Sequence, residues 1–401
     1  MRHSPLAEFP APVRRALPWL VGFRLVSNSA VRFPFTFLPA LARGSGLSVE
    51  ALSLVLSLRD LTAMAAPSVG RVADRRNSTF VMGVASAAVV LGLGLSSLGA
   101  IGLVIGFFLL GFAKLIFDIS MNAWVGDNVA YERRGRVIGL IELSWAGSAL
   151  IGLPILGLLI NGVGWWAATA FLCLVGLPLV AGIARQAQGG PIAGAAEREV
   201  RRPTANRMVV VSLAAFAAMA LGSQFMLIGH GLWLEDTYGF DPARIGFAAM
   251  TIGVIEAVAS TASSSVTDRW GKKNSVIAGT ALLTLAMGML ASNPDPPIPQ
   301  GLALLALAFL GFEFALVSSI SMTTELDPEA RAQVMGWSLG LSTVTRAAGS
   351  VVGAWIYLEH GFSWLMATGA SASALCVAIL VFLGLEPPTP DADIDGTTRV
   401  G

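Results

Sequence analysis

A chain of 401 residues that is 55% hydrophobic, only 13% charged and of mean hydropathy +0.71 has too little polar surface to coat a water-soluble body. A net charge of +1 leaves no basic footprint for nucleic acid. Composition therefore predicts an integral membrane protein whose surplus apolar surface faces lipid.

The N-terminus is polar, holds Pro5, Pro10 and Pro12, and reads as an uncleaved start rather than a signal peptide. Apolar runs then recur at 17–41, 51–69, 80–97, 101–125, 137–160 and 164–183. A polar stretch, 184–207, interrupts them. A second set follows at 208–232, 245–266, 275–291, 301–322, 334–357 and 362–385, with a short polar tail behind it. Each run suits a helix, which needs about 20 residues to cross ~30 Å of hydrocarbon. Strands of a barrel would be shorter and would alternate in polarity. The expectation is an all-α membrane protein of twelve transmembrane helices in two halves, 1–183 and 208–401, joined by a cytoplasmic linker at 184–207. Most of the 26 lysines and arginines lie at the N-terminus, linker, tail and even-to-odd loops, whereas the opposite loops hold only Arg43 and Arg244. By the positive-inside rule both termini are cytoplasmic, in an inner membrane.

The two halves share motifs. Gly70-Arg71-Val72-Ala73-Asp74-Arg75-Arg76 after the second run is matched by Thr267-Asp268-Arg269-Trp270-Gly271-Lys272-Lys273 after the eighth. Likewise Glu132-Arg133-Arg134-Gly135-Arg136-Val137-Ile138-Gly139 is echoed by Glu329-Ala330-Arg331-Ala332-Gln333-Val334-Met335-Gly336. Copies running in the same direction predict parallel repeats.

On these motifs the chain resembles the major facilitator superfamily over nearly its whole length. Gly70, Asp74, Arg75, Asp268, Arg269 and Gly271 match the family's signature loop, which implies a gating role for them. The fifth run, with Gly147, Gly152, Pro154 and Gly157, partly resembles the helix-five motif of proton-driven exporters of drugs and metabolites. Glycines so spaced also permit close helix packing. Helix four carries Phe107 and Phe108 where those exporters place an arginine. The resemblance further implies that helices one, four, seven and ten line a cavity.

Charges inside the runs are expensive in lipid and mark that interior. They are Arg24, Arg32, Arg59, Asp60, Lys114, Asp118, Glu142, Glu256, Glu313 and Arg346. Glu313, between Phe312 and Phe314, is the first candidate for proton coupling, ahead of Glu256, Asp118, Glu142 and Asp60. Apolar surroundings can tune a carboxylic acid to load and release protons near neutral pH. An ion pair of Glu313 with Arg346 is the structural alternative. Arg59 and Asp60, being adjacent, are expected on different sides of one helix. Lys114, Asp118 and Asn122 form a stripe at i, i+4 and i+8. Arg24, Asn28, Arg32, Lys114, Asn122, Gln224 and Arg346 are substrate-cavity candidates, the arginines suiting an anionic group. Phe33, Phe35, Phe37, Trp124, Trp145, Phe225 and Trp233 suit an apolar one. His230 reads as an interfacial histidine.

Cys173 and Cys376 read as small buried hydrophobes, and no metal or cofactor is expected. The predicted activity is secondary transport by alternating access: proton-coupled export of a small organic or lipophilic compound by a monomer in the lipid bilayer. The alternative is an importer or exchanger of small organic anions. A membrane-embedded enzyme is remote, because the chain lacks His-Glu-x-x-His, Gly-x-Ser-x-Gly and the phosphate-binding Gly-x-x-x-x-Gly-Lys-Ser/Thr.

Overall fold

A computed structural model describes residues 9–66, 68, 78–186, 207–327 and 330–383. Every regular element among them is a helix. Backbone amides in lipid have no water to bond, so each apolar run satisfies its own hydrogen bonds. Among the described residues, nine helices are individually long and apolar enough to cross a bilayer. One of these, Gln333–Phe382, spans 50 residues and cannot be a single crossing. It breaks at Gly361, whose φ of 82° lies in the left-handed region that side chains avoid, and so supplies two spans. Two further spans bring the total to twelve: Ala11–Thr36, which carries Arg24 and Arg32 in its interior, and Val49–Ala65, which is apolar but short and passes as a span only together with the bent helix Leu38–Ser45 before it.

In order, span one is Ala11–Thr36. Span two is Val49–Leu61, extended by the 3-10 turn Thr62–Ala65. Between them sits a short helix, Leu38–Ser45, bent 112° from span two. Spans three and four are Ser78–Ser96 and Ala100–Asn128. Span five runs through Tyr131–Gly147, a π turn at Ser148–Gly152, and Leu153–Gly162. The π turn lies just ahead of Pro154, which has no N–H to continue the α-helical ladder. Span six is Trp166–Gln186, and spans seven to ten are Arg207–Tyr238, Pro242–Trp270, Lys272–Ser292 and Ile298–Thr323. Spans eleven and twelve are 331–360 and 361–382, the two parts of Arg331–Phe382.

Spans one to six pack mainly on one another, as do seven to twelve, giving two six-helix halves. The halves meet where span five lies on span eight and span two lies on span eleven. Large apolar side chains such as Leu98, Ile101, Leu174 and Phe382 point outwards, where lipid replaces a protein partner.

The contact between halves is tightest at the end carrying the loops around 37–48, 163–165 and 239–241. There the backbones touch. A Cβ on Gly157 would sit 2.4 Å from the carbonyl oxygen of Pro242, and one on Gly231 would sit 2.3 Å from that of Thr36. Arg43 and Glu235 close an exposed ion pair across the same seam. Towards the opposite end a cavity of about 180 Å³ opens between spans seven, ten and eleven. Its lining residues Ile320 and Leu339 are 44% and 63% exposed. The molecule is thus closed at one end and open at the other.

Candidate functional site

Two more cavities occupy mid-depth. One, of about 250 Å³, is polar and lined by Arg59, Asp60, Lys114, Asp118, Trp145 and Arg346 among others. The other, of about 80 Å³, is walled by Phe35, Leu153, Phe309 and Phe312, and contains Arg32, His230, Glu256 and Glu313. Val31, Trp145 and Arg346 belong to both.

The first charged group joins spans one, four and five. Arg24 donates from Nη1 to Asp118 Oδ1 and from Nη2 to Glu142 Oε1, each at 2.6 Å. Lys114 Nζ donates to Asp118 Oδ2, also at 2.6 Å, because i and i+4 meet on one helix face. Asn122, a turn further on, is exposed and lies off this cavity's lining, so the expected three-residue stripe stops at two. Glu142 is not in an apolar setting either: its side chain is 53% exposed.

The second group spans the two halves. Arg32 on span one grips Glu256 on span eight with both terminal nitrogens, at 2.7 and 2.8 Å. Its guanidinium also lies 4.6 Å from the centre of the Trp145 ring, a cation–π contact. A planar fork on a planar carboxylate is the strongest geometry available to such a pair.

Arg24 and Arg32 are therefore already paired, which corrects the expectation that both stand ready for an anionic substrate. Arg59 is paired too. Its Nε and Nη2 donate to Asp60 Oδ1 at 3.0 and 2.8 Å, and its Nη1 donates to the Val31 carbonyl at 3.2 Å. The two residues do not diverge as expected, because the long arginine side chain folds back along the helix to its neighbour.

Glu313 and Arg346 form no ion pair. Glu313 is buried and accepts one hydrogen bond, from Ser260 Oγ at 2.9 Å. Arg346 donates from Nε to Gln224 Oε1 at 3.0 Å, and Gln224 in turn donates to Ser350 Oγ at 2.8 Å. Gln224 is fully buried and acts as a support for Arg346 rather than a lining residue of either cavity. Asn28 is buried as well, donating to Ser144 Oγ at 3.1 Å.

His230 is not interfacial. It is buried, its Nδ1 lies 2.8 Å from the Leu227 carbonyl oxygen, and its ring meets Phe309 edge-on at 5.7 Å. Of the aromatic candidates, only Phe35 and Trp145 reach the mid-depth cavities. Phe33, Phe37, Trp124, Phe225 and Trp233 are fully buried in helix packing.

The helix-five glycines serve contacts. Gly152 faces Ser29 of span one, and Gly157 faces Pro242 of span eight. Of the loop motifs, Gly70, Asp74 and Arg75 lie outside the described residues, as does the side chain of Asp268. Arg269 is exposed, and Gly271 adopts a φ of 83° between spans eight and nine. Sequence reasoning missed Ser260, although it lies four residues after Glu256 and so on the same helix face.

Comparison with known proteins agrees with this architecture. The family model described as Major Facilitator Superfamily matches residues 23–232 and again 211–399. The chain is 25% identical over 386 residues to the uncharacterized MFS-type transporter YwfA of Bacillus subtilis (strain 168), covering 92% of this chain and 90% of that protein. In structure it resembles a POT family transporter crystallised with a thioalcohol-conjugated peptide, with TM-score 0.76 and 13% identity over 92% of this chain and 95% of that one. It also resembles the human organic anion transporter MFSD10, with TM-score 0.66 and 17% identity over 92% of this chain and all of that one. The matched residues, the two six-helix halves and the charged cavity between them place this membrane protein in the major facilitator superfamily of transporters.

Proposed function

We propose that the protein is a proton-coupled secondary transporter of a small organic compound, working as a monomer by alternating access. Glu313 carries this reading. It is a buried carboxylate in the central cavity with no ion pair among the described residues. Membrane interiors do not keep such a group without a use, and a proton is the simplest partner it can take. Glu313 shares its cavity with the Arg32–Glu256 pair, which bridges the halves. Protonation there can bias the rocking of one half against the other. Asp118, Glu142 and Asp60, each held by a fixed cation, serve the structure of the inward side.

On this reading both termini are cytoplasmic, which the lysines and arginines of the N-terminus, linker and even-to-odd loops support, so that the closed end is external and the open end faces inwards. Export is the direction favoured by span five's resemblance to exporters. Uptake of an organic anion together with a proton is a second reading, favoured by Arg346, which has no ion pair among the described residues. Asp74 and Asp268 are proposed to steady one state of the cycle through the cytoplasmic loops.

The test is flux in proteoliposomes with a trapped pH-sensitive dye. Substrate addition should move protons in wild type, and Glu313→Gln should stop this while substrate exchange continues. Proton movement equal to wild type in that variant overturns the assignment, and gradients of opposite sign separate export from uptake.

A further inference from the structure

Three interior cavities meet at one residue. Arg346 lines the polar cavity between spans one, two and four, the aromatic cavity between spans one, five, eight and ten, and the cavity that opens between spans seven, ten and eleven. No other described residue lines all three. Its neighbours in charge are all taken: Arg59 by Asp60, Lys114 by Asp118, Arg24 by Asp118 and Glu142, and Arg32 by Glu256. Among the described residues Arg346 has no ion pair, and its single hydrogen bond uses Nε. Both terminal nitrogens are left over. Gln224, locked by Ser350, holds the other side of the guanidinium, so the planar fork is oriented before any ligand arrives.

We infer that Arg346 is the substrate anchor, and that the substrate class is a small organic monoanion with an apolar tail, typified by a monocarboxylate. A carboxylate offers two oxygens that match the two free nitrogens. The polar cavity contains three cations, Arg59, Lys114 and Arg346, against two carboxylates, Asp60 and Asp118, so one negative charge completes it. The tail has a place to go. Past Trp145 lies the adjoining space walled by Phe35, Phe309 and Phe312, in which Arg32 and Glu256 neutralise each other and, Arg346 apart, His230 and Glu313 are the remaining titratable groups. A cavity of about 250 Å³ beside one of about 80 Å³, with Val31, Trp145 and Arg346 in the walls of both, suits a compact molecule and excludes a large one. This inference rests on the transporter reading of the cavity and is independent of proton coupling.

Equilibrium binding to purified full-length protein tests it, by thermal shift and calorimetry, with a panel of straight-chain and aromatic monocarboxylates beside their amides and amines of matched size. At least one carboxylate should bind tenfold or more tightly than its amide, with its amine weaker still. Arg346→Gln should lose that preference, and Arg346→Lys should keep the preference for charge with weaker binding. Amines or amides that bind as tightly as every carboxylate overturn the inference on wild-type protein alone, whatever the stability of the variants. A folded Arg346→Gln that retains the carboxylate preference overturns it as well. Binding that succeeds while proton movement fails leaves the anchor standing and removes only the coupling assignment.

Discussion

Arg32 and Glu256 are 224 positions apart in the chain, yet they form a two-pronged ion pair at mid-depth between the halves. Removing one partner of a buried pair costs about 3–5 kcal/mol, because the other is left charged and uncompensated. The pair can form only while spans one and eight are together, so that cost falls on the state described here. Glu256→Gln should therefore shift the population towards the opposite-facing state. Spin-label or fluorophore distances across the seam near Arg43 and Glu235 would lengthen. Arg32→Gln/Glu256→Gln should be milder than either single change. Equal additive losses would mean the pair contributes nothing as a pair.

The backbone seam gives a second prediction. At Gly157 an added Cβ meets the Pro242 carbonyl, a backbone atom that cannot rotate away. Gly157→Ala should force the closed end apart at a cost of about 1–3 kcal/mol to that state, as overpacking typically does. Cysteine labelling of positions near the loop at 239–241 would rise. Unchanged labelling would show that the helices slide at no cost.

The four-residue charge cluster of spans one, four and five gives a third. Arg24 bonds two carboxylates from two different spans, whereas Lys114 bonds only Asp118, on its own helix. Arg24→Ala leaves Asp118 and Glu142 sharing one lysine, and it unties span one from spans four and five. Lys114→Ala leaves Asp118 still paired. The first substitution should lower the thermal midpoint more than the second, and Arg24→Lys should recover only part of the loss because it lacks the fork. Equal midpoints for the two alanine variants would contradict the arrangement.

Much of this was legible in the sequence, and for identifiable reasons. Apolar runs of membrane length forced helices, and repeated loop motifs forced two parallel halves. Charge positions marked the interior. Pairings were not legible. Nothing local tells Arg32 that its partner lies on span eight, or that Arg59 turns back to Asp60 instead of reaching another helix. Adjacency in a helix implies different sides, but a long side chain can cancel the angular offset of its own Cα. His230 was misplaced because its depth in a 32-residue helix depends on where Arg207–Tyr238 enters the bilayer, which composition leaves open. Arg346 and Glu313, read as a possible pair, instead face common space unpaired, and only the path of Gln224 and Ser260 explains why.

That shared space couples the proton to the ligand in the sense of the uptake reading, in which the anion and the proton bind together rather than in exchange. Arg346 and Glu313 line the same aromatic cavity, with Arg32, Glu256 and His230 as the other titratable or charged groups facing it. Arg32 and Glu256 neutralise each other, and His230 is tied to the Leu227 carbonyl, so Glu313 is the carboxylate whose charge an incoming anion meets. Ionised Glu313 repels the anion, whereas protonated Glu313 does not. Carboxylate affinity should therefore be highest at low pH and fall as pH rises through the titration of Glu313. Glu313→Gln should bind the carboxylate at least as tightly as protonated wild type and should flatten the pH profile. Calorimetry on wild type and Glu313→Gln across pH 5–9 makes the comparison. A Glu313→Gln profile that still falls with pH like that of wild type would place the responsible group elsewhere, and would separate the proton site from the anion site.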